Sequence, residues 1–304
     1  MPMAFLGAVS QGVLWGVMVL GVYITYKLLD IADLSVDGTL ALGGCVCAVC
    51  VTNGVDPLVA LLLGMLAGCV AGLVTGILHT VLEIPAILSG ILTMISLWSI
   101  NLRIMGKSNV PLLQTPTVFS TVATTLGVPQ SVASLIIGII VAVLLIVGMY
   151  LFFGTEIGAA LRATGNNEAM AHALGIDTRV TKVLALIISN GLVGLAGALI
   201  CQSQKYADIG MGTGTIVIGL AAIVIGEVLG QFVPGKLRSF GARLTAAVVG
   251  SVVYFMIRAI VLQLGMDAND MKLLSAIIVA LALSIPIITG RIAQRHAYTE
   301  GGDQ

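Results

Sequence analysis

Few residues in this sequence have types and spacings that chemistry could use. The run Gly230-Gln231-Phe232-Val233-Pro234-Gly235-Lys236 has the spacing of a phosphate-cradling loop, but Leu237 stands where a Ser or Thr hydroxyl would ligate magnesium. It also lies between two hydrophobic segments rather than between a strand and a soluble helix, which argues against nucleotide binding. The three histidines, His79, His172 and His296, form no His-Glu-x-x-His pattern and have no carboxylate cluster beside them. His79 and Glu83 stand four residues apart, a single pair. Cys45, Cys47, Cys50, Cys69 and Cys201 all fall in apolar stretches. On a helix Cys45 and Cys47 point roughly 200° apart and cannot converge on one metal, so small buried side chains are the expected role. No nucleophile or membrane-hydrolase constellation emerges, and the sequence predicts no enzyme, no metal site and no cofactor in this chain.

Three charges interrupt or border apolar runs: Asp37, Glu227 and Arg258. A charge inside a span costs about 3 kcal/mol or more and usually faces a cavity or a partner. Asp37 reads equally as the cap of a span and as a residue lining a path. Glu227 reads equally as the end of its helix, while for Arg258 a structural ion pair is favoured over snorkelling.

The elements that position these residues follow from composition. The 304 residues are 58% hydrophobic and 9% charged, with a mean hydropathy of +1.11; a soluble domain has about a quarter of its residues charged. Residues 1–26, 57–82, 84–102, 108–155, 183–204, 209–226 and 273–290 contain no Asp, Glu, Lys or Arg. Residues 34–52 contain only Asp37 and residues 244–263 only Arg258. Crossing a hydrocarbon core takes about 20 helical residues. Backbone groups in lipid must be satisfied within the segment or a closed barrel, and Leu/Ile/Val/Ala runs without alternation select helices. The expected fold is all-α, a polytopic transmembrane bundle of 9–10 spans forming one domain over residues 1–304. The tenth would come from residues 105–130, where Pro111, Pro116 and Pro129 allow either a re-entrant piece or a short span. The first run lacks a basic n-region and reads as a retained helix rather than a cleaved signal.

Placing residues 154–182 in the cytoplasm puts Lys27, Arg162, Arg179, Lys182, Lys236, Arg238, Arg243, Arg291 and Arg295 inside, and Arg103, Lys107, Lys205 and Lys272 outside. The positive-inside rule therefore predicts a cytoplasmic tail at 291–304 and, with nine spans, an external N-terminus.

The longest polar interruption, Gly154 to Lys182, reads as two short helices broken at Gly165-Asn166-Asn167. Asn166 or Asn167 supplies an N-cap with Glu168 in the first turn. Ala169, Met170, Ala173 and Leu174 give an apolar face that ends at Gly175. With few basic residues and no aromatic anchor, this helix suits a docking partner better than the membrane interface.

Gly64, Gly68, Gly72 and Gly76 lie on one helical stripe, which allows a neighbouring helix to approach closely. Asp37-Gly38-Thr39-Leu40-Ala41-Leu42-Gly43 resembles Thr213-Gly214-Thr215-Ile216-Val217-Ile218-Gly219. The two stretches open spans of opposite direction, as in the inverted repeats by which transporters build a midplane site from interrupted helices. Ser35, Asp37, Thr39, Thr213 and Thr215 are therefore the candidate path-lining residues.

Three segments carry a resemblance to a known family. They are Ala32-Asp33-Leu34-Ser35-Val36-Asp37-Gly38, Ile84-Pro85-Ala86-Ile87-Leu88, and Arg162-Ala163-Thr164-Gly165-Asn166-Asn167-Glu168-Ala169 followed by Leu174-Gly175-Ile176-Asp177. Together they resemble the membrane permeases of bacterial ABC importers, in the branch serving branched-chain amino acids, ribose and related solutes. The resemblance covers nearly the whole chain and implies an inner-membrane importer subunit. Gly165, Asn166, Asn167, Glu168, Ala169, Met170, Leu174, Gly175 and Ile176 would form the helix coupling it to cytoplasmic ATPases, which bind ATP and magnesium. It further implies a second permease copy, an external solute-binding protein and no nucleic acid. Glu227 after Gly219–Gly226, and Val36-Asp37-Gly38-Thr39, depart from the sugar-permease pattern and look like a side branch for amino-acid or vitamin-like solutes. Sugars and nucleosides remain alternative solutes. The rival mechanism is an ion-coupled secondary transporter working through Asp37 or Glu227.

Overall fold

The computed structural model describes residues 2–231, 239–265, 270, 273, 275–281 and 284. The apolar runs within them are helices. Helix α1 (Pro2–Tyr23) continues as a π-helical turn, Ile24–Leu28. Residues 29–35 are not helical, and α2 (Val36–Thr52) starts after them. Then come α3 (Pro57–Thr80) and α4 (Ala86–Met105), the strand β1 (Asn109–Pro111), and α5 (Val118–Leu126). Helix α6 (Gln130–Phe153) leads to the short α7 (Glu156–Asn166) and α8 (Glu168–Ala173). After the long α9 (Thr178–Gln204), strand β2 (Tyr206–Asp208) and a 3-10 turn (Ile209–Gly212) lead into α10 (Thr215–Gln231) and α11 (Phe240–Gln263).

Seven described segments are long and apolar enough to cross a membrane, and α2, with 17 residues, is a shorter apolar helix. The span expected over 273–290 lies mostly outside the described residues. Residues 105–130 hold no tenth span: α5 has nine residues, about 13 Å at 1.5 Å per residue against a core of about 30 Å. Thr117 and Ser120 close a capping box at its start, and β1 pairs antiparallel with β2 beside it. This is the short, non-spanning outcome for the proline-rich stretch.

Local chemistry sets the helix ends. Asp56 caps α3 by accepting the Leu58 N–H at 2.8 Å, with Pro57 at the first helical position where no donor is needed. Asp177 caps α9 through the amides of Arg179 and Val180.

Helix α9 is the hub, packed on α1, α2 and α3. The four glycines of the stripe all lie against it. A Cβ at Gly68 would overlap the carbonyl of Asn190, and one at Gly72 that of Leu186. A Cβ at Gly64 would sit 2.9 Å from that of Ala198, and one at Gly76 would sit 3.1 Å from Val183 Cα. Gly194 of α9 reciprocates against Gly64 and Gly68. Lipid offers no hydrophobic drive between helices, so backbone approach of this kind supplies the dispersion contacts instead. Apolar side chains exposed along α3, α4 and α6, such as Leu62, Ile95 and Leu144, suit the bilayer.

Candidate functional site

The site begins where α1 ends. After Leu28 the chain turns back into the bundle without helical structure, which within a membrane is tolerated only where protein covers the backbone. Asp33, 2% exposed, holds this segment. Its Oδ1 accepts the Ser35 amide at 2.9 Å and the Ser35 hydroxyl at 2.6 Å, and its Oδ2 accepts Asn190 Nδ2 at 2.7 Å. Ser35 also donates to Asn190 Oδ1 at 3.1 Å. Asn190 lies near the middle of α9, so α2 begins deep in the bundle.

Asp37, in the first turn of α2, reaches a second helix start. Its Oδ2 accepts the Gly214 amide at 2.8 Å and its Oδ1 the Ile216 amide at 3.0 Å. The carboxylate therefore caps α10 across the bundle, where orphan amides and the helix dipole both favour a negative charge. The two stretches matched as a repeat in the sequence meet here at the N-termini of α2 and α10. Gly214, at φ 83°, makes the turn from the 3-10 segment into α10.

A cavity of about 350 Å³ opens beside this junction, bounded by α2, α4 and the turn before α10. Among the expected path residues, Asp37 and Thr213 line it. Ser35, Thr39 and Thr215 are fully buried and spend their hydroxyls inside the protein: Ser35 on Asp33 and Asn190, Thr39 on Ser35 O at 3.0 Å and Thr215 on Gly212 O at 2.7 Å. Sequence reasoning missed Met94, Trp98 and Asn101 on the α4 side. The available signal was Asn101, an amide inside an otherwise apolar run.

At one end of the bundle, α7 and α8 form the second candidate element. Asn167, rather than Asn166, caps α8 by accepting the Met170 amide at 3.0 Å; Asn166 is the last residue of α7 and is exposed. Glu168 pairs with Lys182 of α9 at 2.5 Å, and that hydrogen bond holds its carboxyl below the usual glutamate range. Ala169, Met170, Ala173 and Leu174 all face outward, Met170 61% and Leu174 70% exposed, while Ala171 packs inward. Gly175, at φ 85°, ends the turn, and the half-buried Ile176 donates its amide to Ala171 O at 3.1 Å. Gly165 points the other way. A Cβ there would overlap the Leu28 carbonyl, so α7 lies flush on the backbone that enters the non-helical segment. Thr164 and Thr181 join hydroxyls at 3.0 Å, and Arg179 pairs with Glu83 at 3.1 Å.

The remaining charges find structural partners. Glu227 does more than end its helix: it pairs with Lys27 at 2.8 Å, tying α10 to the turn after α1. Arg258 stacks over Phe255, 5.8 Å from the ring centroid; no carboxylate pairs with it among the described residues, and Asp267, nine positions on, lies outside them. His79 Nδ1 lies 2.9 Å from Ile84 O, and no metal-holding group of His, Cys, Asp and Glu occurs among the described residues. The run at 230–236 and the tail at 291–304 lie largely or wholly outside them.

Comparison with known proteins shows the family. The sequence model of the family described as branched-chain amino acid transport system, permease component, matches residues 4–283. A tyrosine transport system permease protein of Clostridioides difficile is 40% identical over 90% of this chain and 88% of its own length. An uncharacterized protein of Rickettsia prowazekii is 34% identical over 91% of this chain and 95% of its own. The ribose import permease of Escherichia coli is 26% identical over 83% of this chain and 76% of its own. No solved structure matches the chain.

Proposed function

Because the chain belongs to the family of permease components of branched-chain amino acid transport systems, we propose that it forms half of a membrane pore that imports an amino acid or a closely related solute. As a permease subunit of an ABC importer it performs no chemistry of its own. ATP and magnesium bind the separate ATPase chains. The amino-acid reading is supported by the closer likeness to the tyrosine permease than to the ribose permease, at 40% against 26% identity. Family membership replaces the ion-coupled alternative. The two carboxylates that alternative would use have structural partners, Asp37 at the amides of α10 and Glu227 at Lys27.

The observation that carries the coupling role is the outward apolar face of α8, set among polar residues and backed by Gly165 against Leu28. ATP binding draws the two ATPases together and displaces α8. Helix α7 passes the displacement to the Leu28 backbone, and the non-helical segment 29–35 absorbs it as a hinge. Motion of α2 then shifts Asp37 against α10 and exposes the cavity to one side of the membrane or the other, a two-state change biased by nucleotide. A second copy of this chain completes the pore, and an external binding protein delivers the solute. The α7–α8 end faces the cytoplasm: it carries Lys27, Arg162, Arg179, Lys182 and Arg243, against Arg103, Lys107 and Lys205 at the opposite end. With the further span expected over 273–290, the tail at 291–304 lies on the same side as α7 and α8.

Co-expression of the chain with its ATPase tests the docking face. Met170→Asp with Leu174→Asp is expected to abolish co-purification while the permease stays monodisperse. Retention of the ATPase by that double variant contradicts the assignment of α8.

A further inference from the structure

The cavity beside the α2–α10 junction carries more chemistry than a passive opening requires. Asn101 lines it and is only 1% exposed. Its Nδ2 donates to Gly38 O at 3.4 Å, which fixes the orientation of the amide, and its Oδ1 is the buried side-chain polar atom left without a hydrogen-bond partner among the described residues. A buried acceptor without a donor is uncommon enough to call for an explanation. Asp37 faces the same space. Each of its oxygens already takes one backbone amide but can accept another donor. The Thr213 hydroxyl is occupied with Gly210 O at 2.9 Å. The rest of the wall is largely apolar, with Ala41, Met94, Ile95 and the half-exposed Trp98.

Two acceptors, one of them charged, ask for a cationic donor, and the apolar wall asks for an apolar body attached to it. A hard metal ion would want about six oxygens and no Trp or Met beside them. A sugar would want many more polar partners than this wall offers. The volume of about 350 Å³ is at the small end of the range for small-molecule pockets. We propose that this cavity is a solute subsite that takes the primary ammonium group of an apolar or aromatic amino acid between the Asp37 carboxylate and Asn101 Oδ1, with the solute side chain against Trp98 and Met94. The proposal rests on the amino-acid reading above and adds the residues that would select for it. The permease then holds its solute by a specific contact on the way through.

The test is equilibrium binding to the permease–ATPase complex in nanodiscs, without the binding protein, using radiolabelled L-tyrosine and L-leucine. Tyramine and isoamylamine, which keep the amine, are expected to compete with the label. The deaminated acids 3-(4-hydroxyphenyl)propionate and 4-methylpentanoate are not. Asn101→Leu is expected to weaken binding about tenfold or more, as for loss of a hydrogen bond to a charged group, with its sedimentation profile that of the parent. Asn101→Asp, which keeps an acceptor, is expected to bind the amines within about threefold of the parent. Failure of both amino acids to bind, equal competition by the deaminated acids, or parental affinity in Asn101→Leu each overturns the subsite. ATP-driven uptake with the binding protein present is measured in parallel. Amino-acid uptake that is indifferent to Asn101→Leu overturns the subsite alone, whereas absence of amino-acid uptake by the parent complex overturns the reading on which it rests.

Discussion

Replacing Asp37 by alanine leaves the amides of Gly214 and Ile216 without their acceptor and removes a charge that the start of α10 favours. The expected cost is about 1–3 kcal/mol, read as a lower unfolding temperature in detergent, with Asp37→Asn recovering part of it because one amide oxygen can still accept. Lys27→Met should cost under about 1 kcal/mol in the same assay, since both partners of the Lys27–Glu227 pair are roughly one-third exposed and solvent screens them. For Glu168 the sign follows from its lowered pKa. Its contact with Lys182 is complete above the ordinary glutamate value of about 4.3 and is lost as the pH falls through the lower native value. NMR titration of the carboxyl carbon should show a midpoint below that of a free glutamate, and Lys182→Met should return it upward. The sequence marked Asp37 because a charge in an apolar run needs a reason. It could not name the partners, which lie 177 and 179 residues away with no local pattern linking them. Arg258 carried the same signal, a charge in an apolar run that needs a partner, and among the described residues it meets the Phe255 ring.

At the scale of elements, the α3–α9 contact is where side-chain size matters most. Gly68→Leu and Gly72→Leu drive a side chain into carbonyls of α9, and overpacking of this kind costs about 1–3 kcal/mol or more. Both are expected to lose folded, monodisperse protein in size-exclusion chromatography. Gly148→Ala, which meets nothing within 4 Å, should leave it intact. Four-residue spacing made this stripe legible, because it reports which face of one helix is bare. The identity of the facing helix is a property of the fold and was not legible. Asn167 as the cap of α8 was readable to within one residue, since capping chemistry is local. The junction of α2 with α10 was half readable: the Gly-Thr likeness pointed to paired helix starts, while the break at 29–35 and its Asp33–Asn190 lock depend on a contact 157 residues away.

At the scale of the whole molecule, the proposed coupling runs from the exposed face of α8 through the Gly165–Leu28 contact and the non-helical residues 29–35 to the interior cavity. Gly165→Leu is expected to separate α7 from the Leu28 backbone. The ATPase should stay bound and hydrolyse ATP, while ATP-driven uptake falls about tenfold or more, the signature of a broken linkage rather than a lost interface. The charge-free runs fixed the class of molecule because a bilayer admits so few alternatives. They were nearly silent on the site, which uses polar residues one at a time. The most direct measurement of the central claim is uptake of labelled L-tyrosine and L-leucine into proteoliposomes holding the permease, its ATPase and the binding protein. The account predicts accumulation that requires ATP on the side bearing α7 and α8 and that is abolished by Met170→Asp with Leu174→Asp. Accumulation that proceeds without ATP, driven by an ion gradient, or that survives the double substitution, would contradict it.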